Sequence, residues 1–151
     1  MAKPFSLQTL LDLSQLRMDD AGRRLSELLA GEEVAGKRVL LLLQYRDEYQ
    51  ARFVLAAQNG INRDAMENYQ SFIRRLDEAV DQARELAAQA GKLAAAGKLE
   101  WLDQRSQVKA FNTLSRRQQR EELRVENRME QKAQDEYAAR GRRNEEDMGT
   151  E

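Results

Sequence analysis

The residues best suited to chemistry in this chain lie in one short motif, Gly-Glu-Glu-Val-Ala-Gly-Lys at residues 31–37. Its glycine and lysine spacing matches a phosphate-binding loop, in which Ser or Thr follows the lysine and binds Mg²⁺, and a strand comes before the first glycine. Here Arg38 follows the lysine, and two acidic side chains stand where backbone amides should meet phosphate. No strand pattern precedes the motif. The sequence therefore predicts no nucleotide site.

Charged clusters offer little more to catalysis or to ligand binding. Acidic clusters occur at residues 121–122 and 145–147. Arginine clusters occur at 116–117 and 140–143, where acidic residues adjoin them. The chain has no histidine and no cysteine, which removes the commonest general base and the thiolate metal ligands. With 25 basic and 26 acidic residues, it carries no net field for nucleic acid. We predict no enzyme activity, cofactor, metal site or nucleic-acid partner.

Composition favours long helices over a globular core. Charged residues make up 34% of the 151 residues and aromatic residues 6%. The longest apolar run, residues 39–43, is too short to cross a bilayer, and the N-terminus lacks an apolar signal region. We therefore expect a cytoplasmic protein with no direct membrane insertion.

A heptad pattern runs through the first part of the chain in alternating steps of three and four residues. Such a pattern is typical of a coiled-coil seam, the line of a and d positions along which two helices pack. The first seam consists of Leu11, Ser14, Met18, Ala21, Leu25, Leu28, Glu32, Ala35, Val39, Leu42, Arg46, Tyr49, Phe53 and Ala56.

A strong turn signal, Asn-Gly-Ile-Asn-Arg-Asp at residues 59–64, separates this seam from a second one. Either Asn62 or Asp64 could cap the following helix. The second seam consists of Met66, Tyr69, Ile73, Leu76, Val80, Ala83, Ala87, Ala90, Ala94, Trp101, Val108 and Phe111. We predict an all-α fold: a long antiparallel two-helix coiled-coil hairpin with an unpaired C-terminal helical extension. The first helix should span residues 5–58, the turn 59–64 and the second helix 65–140, followed by a frayed tail at 141–151. Together they should form one domain spanning 1–151.

The short turn also predicts the register of the hairpin, since facing residue numbers should total about 123. This register places Arg46 opposite Asp77 and Glu32 beside Lys92. Gly31 and Gly36 fall level with the Ala- and Gly-rich residues 87–98, which indicates either a narrow waist with closely packed helices or simple tolerance of glycine. The first helix ends opposite residues 115–119, so residues 120–140 should have no hairpin partner.

Apolar residues beside the seam suggest a partner-binding site near the turn. Tyr45, Phe72 and Ala79 occupy heptad position g, and the g flanks of two antiparallel helices lie on the same side. They should form a stripe above the seam residues Leu42, Tyr49 and Leu76. An exposed apolar stripe of this kind is typical of a docking site. The alternative is a broadened seam that buries these residues within the hairpin.

Three segments together resemble the flagellar type III export protein FliJ family. They are Leu-x-x-Tyr-x-x-Glu-Tyr at 42–49, Gly-Ile at 60–61 and Asn-Tyr-Gln-x-Phe-Ile-x-x-Leu at 68–76. Glu-Asn-Arg-Met-Glu-Gln-Lys at 126–132 is also similar, and the resemblance covers nearly the whole chain.

The resemblance implies a stalk similar to the two-helix stalk of the rotary ATP synthase γ subunit. It implies three partners: a hexameric export ATPase, an export gate membrane protein and export chaperones. It also implies a cytoplasmic protein peripherally associated with the inner-membrane export apparatus. The positions that match the family's gate-binding patch are Leu42, Tyr45, Tyr49, Phe72, Leu76 and Ala79. The alternatives are the equivalent stalk of a virulence injectisome and a generic coiled-coil scaffold.

Overall fold

The computed structural model describes residues 4–149, with side chains from Leu7 onward, and this part of the chain contains two α-helices and no strand. Helix α1 spans Pro4–Asn59 and helix α2 spans Arg63–Met148. The all-α prediction is confirmed. Helix α2 continues past Gly141, so residues 141–148 of the predicted frayed tail are helical, because one glycine among good helix formers does not end a helix. Residues 150–151 of that tail lie outside the described residues.

The chain divides into two compact units. Residues 17–104 form one, called here the hairpin unit. The residues up to 16 and those from 105 onward form the other, called here the terminal unit.

The two helices pack antiparallel within the hairpin unit. Arg46 Nη1 lies 3.6 Å from Asp77 Oδ1, and Arg24 Nη2 lies 2.6 Å from Glu100 Oε1. The residue numbers of these pairs total 123 and 124, so the predicted hairpin and its register are confirmed. All four side chains keep at least 32% of their surface exposed, so each pair contributes about 0 to 1 kcal/mol to stability.

Residues 60–62 make the turn. Gly60 has φ of 84°, a conformation that glycine adopts without strain, and its N–H donates to the Ala57 carbonyl at 3.3 Å. Asn62 is the residue that caps α2, since its side-chain oxygen accepts a hydrogen bond from the Ala65 N–H at 2.7 Å. Asp64 lies inside the first turn of α2. The turn therefore ends one helix and starts the next within three residues.

The core of the hairpin unit follows the predicted seams. Val80 is only 1% exposed, and the other buried apolar side chains of this unit are Ala21, Leu76, Ala83 and Ala94. Glu32 lies beside this part of α2, as the register predicts, with its Oε1 3.7 Å from a Cβ built at Gly91. Glu32 and Lys92 are both exposed and do not form an ion pair. Hydration of two exposed, flexible charges competes with such a pair.

Close helix packing occurs at Gly97 rather than at the predicted glycines. A Cβ at Gly97 would lie 2.7 Å from Leu28 Cδ1, whereas no atom lies within 4 Å of a Cβ built at Gly31 or at Gly36. Trp101 packs against Gly22, and its Nε1 would lie 3.4 Å from a Cβ built at Gly22. Gly31 and Gly36 therefore make no close helix contact, which fits the alternative of simple tolerance of glycine, because heptad spacing places both beside the seam rather than in it.

In the terminal unit, Ser14 and Val108 are buried, and Leu11 and Phe111 are half-buried. Burial along α2 ends with Glu122, which is partly buried. Every residue from 123 to 149 is exposed. This exposed stretch of α2 is called here the C-terminal extension.

Candidate partner-binding surface

The hairpin unit has one flank on which the g positions of both helices meet. Arg24 and Glu100 both occupy position g, and their 2.6 Å ion pair shows that the two g rows lie side by side. Continuing this register towards the turn brings Tyr45 level with Ala79 and Arg52 level with Phe72. The flank therefore carries the three predicted g-position residues.

The six predicted site residues differ in exposure. Tyr45 is 48% exposed and Phe72 is 40% exposed, while Leu76 is 9% exposed. Leu42, Tyr49 and Ala79 are half-buried. The hairpin does not bury Tyr45 and Phe72 as a broadened seam would. These two rings form the accessible part of the surface. The surface made by all six residues is called here the tip stripe.

Aromatic contacts connect two tip-stripe residues, Tyr49 and Phe72, to neighbouring rings. The Phe72 ring centroid lies 4.2 Å from that of Tyr49 at an interplanar angle of 38°. Tyr69 then contacts Tyr49 at 5.8 Å and Phe53 at 5.7 Å. Aromatic pairs of this kind contribute about 0.5–1.5 kcal/mol each beyond their buried area. The exposed Phe72 ring is thus attached to a chain of rings that links both helices.

Two features of this surface were not predicted. The Arg52 guanidinium lies over the Tyr49 ring, with Cζ 6.0 Å from the ring centroid. A surface groove next to it is lined by Tyr49, Ala65, Asn68, Tyr69 and Phe72. The register could have indicated Arg52, since it is the g residue that faces Phe72. The groove depends on ring orientations, for which the heptad pattern carries no signal.

The phosphate-loop-like residues 31–37 lie inside helix α1. Backbone N–H groups in a helix interior donate to carbonyls four residues earlier, so they cannot surround a phosphate. Lys37 Nζ lies 3.1 Å from Glu33 Oε1, an ordinary i,i+4 ion pair on an exposed helix surface. This arrangement is that of a solvated helix and provides no nucleotide site.

In residues 4–149, no group of three or more His, Cys, Asp or Glu side chains is placed to hold a metal ion. Neither described helix combines the length and the apolar character that a membrane span requires.

Comparison with known proteins identifies the family of the whole chain. The family model described as "Flagellar FliJ protein" matches residues 3–147. The Flagellar FliJ protein of Salmonella typhi is 35% identical over 140 residues, which cover 93% of this chain and 95% of that protein. The Flagellar FliJ protein of Escherichia coli (strain K12) is 33% identical over the same length and coverage. The chain belongs to the flagellar FliJ protein family.

Proposed function

We propose that this protein is the cytoplasmic stalk of the flagellar type III export apparatus, linking the hexameric export ATPase to the membrane export gate. In this proposal the tip stripe binds the gate protein and the C-terminal extension contacts the ATPase. The observation that carries the proposal is a pair of half-exposed aromatic side chains, Tyr45 and Phe72, on a hairpin whose seam is already filled. Family membership favours the flagellar system over an injectisome or a generic scaffold.

The tip stripe has the composition of a protein-binding hot spot. Aromatic side chains dominate such sites, because one ring removes a large apolar area from water and loses little conformational entropy on binding. Tyr45 and Phe72 are accessible, and the Tyr49 ring packs against that of Phe72. A partner that covered both rings would gain apolar burial without any rearrangement of the seam.

The C-terminal extension supports a second contact. It is helical to Met148, yet residues 123–149 are all exposed. Isolated polar helices are marginal in water, so a partner that covers this stretch would stabilise it. The family resemblance suggests the ATPase ring as this partner. It also implies escort of export chaperones, for which we propose no particular surface.

Motility complementation tests the gate contact. Cells lacking the native protein should regain swimming with the wild-type chain and with Leu99→Ala, since Leu99 is an exposed leucine distant from the tip stripe. Tyr45→Ala and Phe72→Ala should abolish or strongly reduce swimming at equal protein level. Wild-type swimming by both variants would contradict the proposal.

A truncation tests the ATPase contact separately. A chain that ends at Glu122 keeps every buried or partly buried residue of α2 and lacks the C-terminal extension. We expect its thermal unfolding midpoint to change little, while its stimulation of ATP hydrolysis by the export ATPase falls. Full stimulation by the truncated chain would assign the ATPase contact elsewhere.

A further inference from the structure

We infer that the tip stripe is one end of a longer groove on the same flank, and that this groove binds an acidic amphipathic helix of a partner protein. The inference deepens the proposed function and rests on it, because the groove continues the surface assigned there to the gate. We call it the flank groove. It is formed by Val34, Leu41, Tyr45, Phe72, Leu86 and Leu93.

Exposed leucines on α2 form one wall of the groove. Leu86 and Leu93 follow Phe72 at two and three heptads, and all three occupy position g on one side of the helix. Leu86 is 55% exposed and Leu93 is 58% exposed, so the hairpin leaves both largely uncovered. Apolar residues repeated every seven positions on a helix flank form a continuous line rather than scattered exposure.

Helix α1 supplies the other wall of the groove. Val34, Leu41 and Tyr45 lie at i, i+7 and i+11, which places them on one face, and Leu41 is 47% exposed. Opposite Leu93 the first helix has Gly31, and no atom lies within 4 Å of a Cβ built there. This open space can receive a side chain of a third helix.

The length of the groove sets the size of the ligand. From Phe72 to Leu93 the helix advances roughly 30 Å, at 1.5 Å per residue. A partner helix of about 21 residues, or three heptads, would span this distance. Docking of an amphipathic helix into an apolar groove, with anchors at i, i+3, i+4 and i+7, is a common recognition mode.

Charge determines which helix fits. The groove and its border carry three arginines, Arg38, Arg52 and Arg75, against two acids, Glu48 and Glu85, of which Glu85 lies beside Leu86. Within the described residues, none of the three guanidinium groups forms an ion pair with a carboxylate, although the whole chain has a net charge of −1. Glutamates beside the apolar stripe of a partner helix would complement this border. A second copy of the chain would instead place one positive border against another.

The test uses a labelled helical peptide of about 21 residues with Leu at a and d and Glu at e and g. Its binding to the full chain is measured by fluorescence anisotropy, with a peptide carrying Lys at e and g for comparison. We expect the acidic peptide to bind the wild-type chain and the basic peptide to bind at least tenfold more weakly. Absence of acidic-peptide binding, or equal binding of the two peptides, would overturn the inference.

A matched pair of variants locates the binding site. Leu86→Gln with Leu93→Gln should weaken acidic-peptide binding about tenfold or more, because two apolar anchors are lost. Leu99→Gln is the control, since Leu99 lies on the same helix, is 69% exposed and occupies the outward position f. Equal weakening of peptide binding by the double substitution and by Leu99→Gln would show non-specific apolar binding. Circular dichroism should show unchanged helicity for all three proteins.

The outcomes separate this inference from the proposed function. If Tyr45→Ala abolishes motility while the Leu86 and Leu93 changes leave peptide binding intact, the gate contact stands and the flank groove fails. If peptide binding depends on Leu86 and Leu93 while Tyr45→Ala cells swim normally, the gate assignment fails and the groove stands. Self-association of the chain that is lost with the Leu86 and Leu93 changes, without peptide binding, would make the groove an interface between copies.

Discussion

Substituting glycine by alanine at two positions of α2 tests the helix packing in the hairpin unit. Gly97 is buried, and a Cβ there would lie 2.7 Å from Leu28 Cδ1. Gly91 is partly buried, and its Cβ would lie 3.7 Å from Glu32 Oε1, an ordinary contact. Both residues lie in the same helix and differ by six positions. The two substitutions are therefore chemically identical and differ in the space available.

Both variants gain helix propensity, and only one pays a packing cost. Alanine is about 1 kcal/mol more favourable than glycine in a helix interior, so Gly91→Ala should stabilise the protein by about that amount. At Gly97 the Leu28 methyl must retreat by about 1 Å, and overpacking of this kind costs about 1–3 kcal/mol. The net effect of Gly97→Ala should lie between about zero and 2 kcal/mol of destabilisation.

Urea unfolding followed by circular dichroism measures the difference. For slopes of about 1–3 kcal/mol per molar urea, a difference of 1 kcal/mol separates the two midpoints by at least about 0.3 M. We expect the Gly91→Ala midpoint to lie above that of the wild type and the Gly97→Ala midpoint to lie at or below it. Equal stabilisation by the two substitutions would refute the close packing at Gly97.

Three further outcomes follow from the described contacts, each measured by urea unfolding. Asn62→Ala removes the acceptor of the Ala65 N–H and should cost about 1 kcal/mol, whereas a loss near zero would mean that the cap is not used. Gln104→Leu should stabilise the protein by about 1–3 kcal/mol, because Gln104 Oε1 is buried without a hydrogen-bond partner among the described residues. Destabilisation by this substitution would show that Gln104 has a partner. Val80→Asp should cost about 3–5 kcal/mol by burying an unpaired charge, while Tyr45→Ala should cost much less, and equal losses would show that Tyr45 belongs to the core.

Heptad spacing was enough to predict the fold. A 3-4 alternation determines which face of a helix is buried, and a short turn restricts two antiparallel helices to nearly one register. The pairing of Arg46 with Asp77 was therefore predictable from the sequence. The differences from the predicted structure have physical causes. Glu32 and Lys92 are level in the register, but exposed charges gain too little from pairing to be held together. Gly97 was absent from the predicted seam because glycine carries no apolar signal, although it fills a seam position against Leu28.

The candidate site was predictable only in outline. Position g placed Tyr45 and Phe72 on one flank, since heptad geometry alone determines that face. The stacking of Phe72 on Tyr49 and the position of Arg52 over the same ring depend on side-chain rotamers. The continuation through Leu86 and Leu93 was visible as a g-position repeat, but its exposure required the structure.

The tip stripe is proposed to bind the export gate rather than to form part of the hairpin core. The most direct test of this claim is the affinity of the purified full chain for the cytoplasmic portion of the gate membrane protein, measured by isothermal titration calorimetry. We predict that Tyr45→Ala with Phe72→Ala weakens this affinity at least tenfold while Leu99→Ala leaves it unchanged, with similar helicity in all proteins. Wild-type affinity of the doubly substituted chain would contradict the claim.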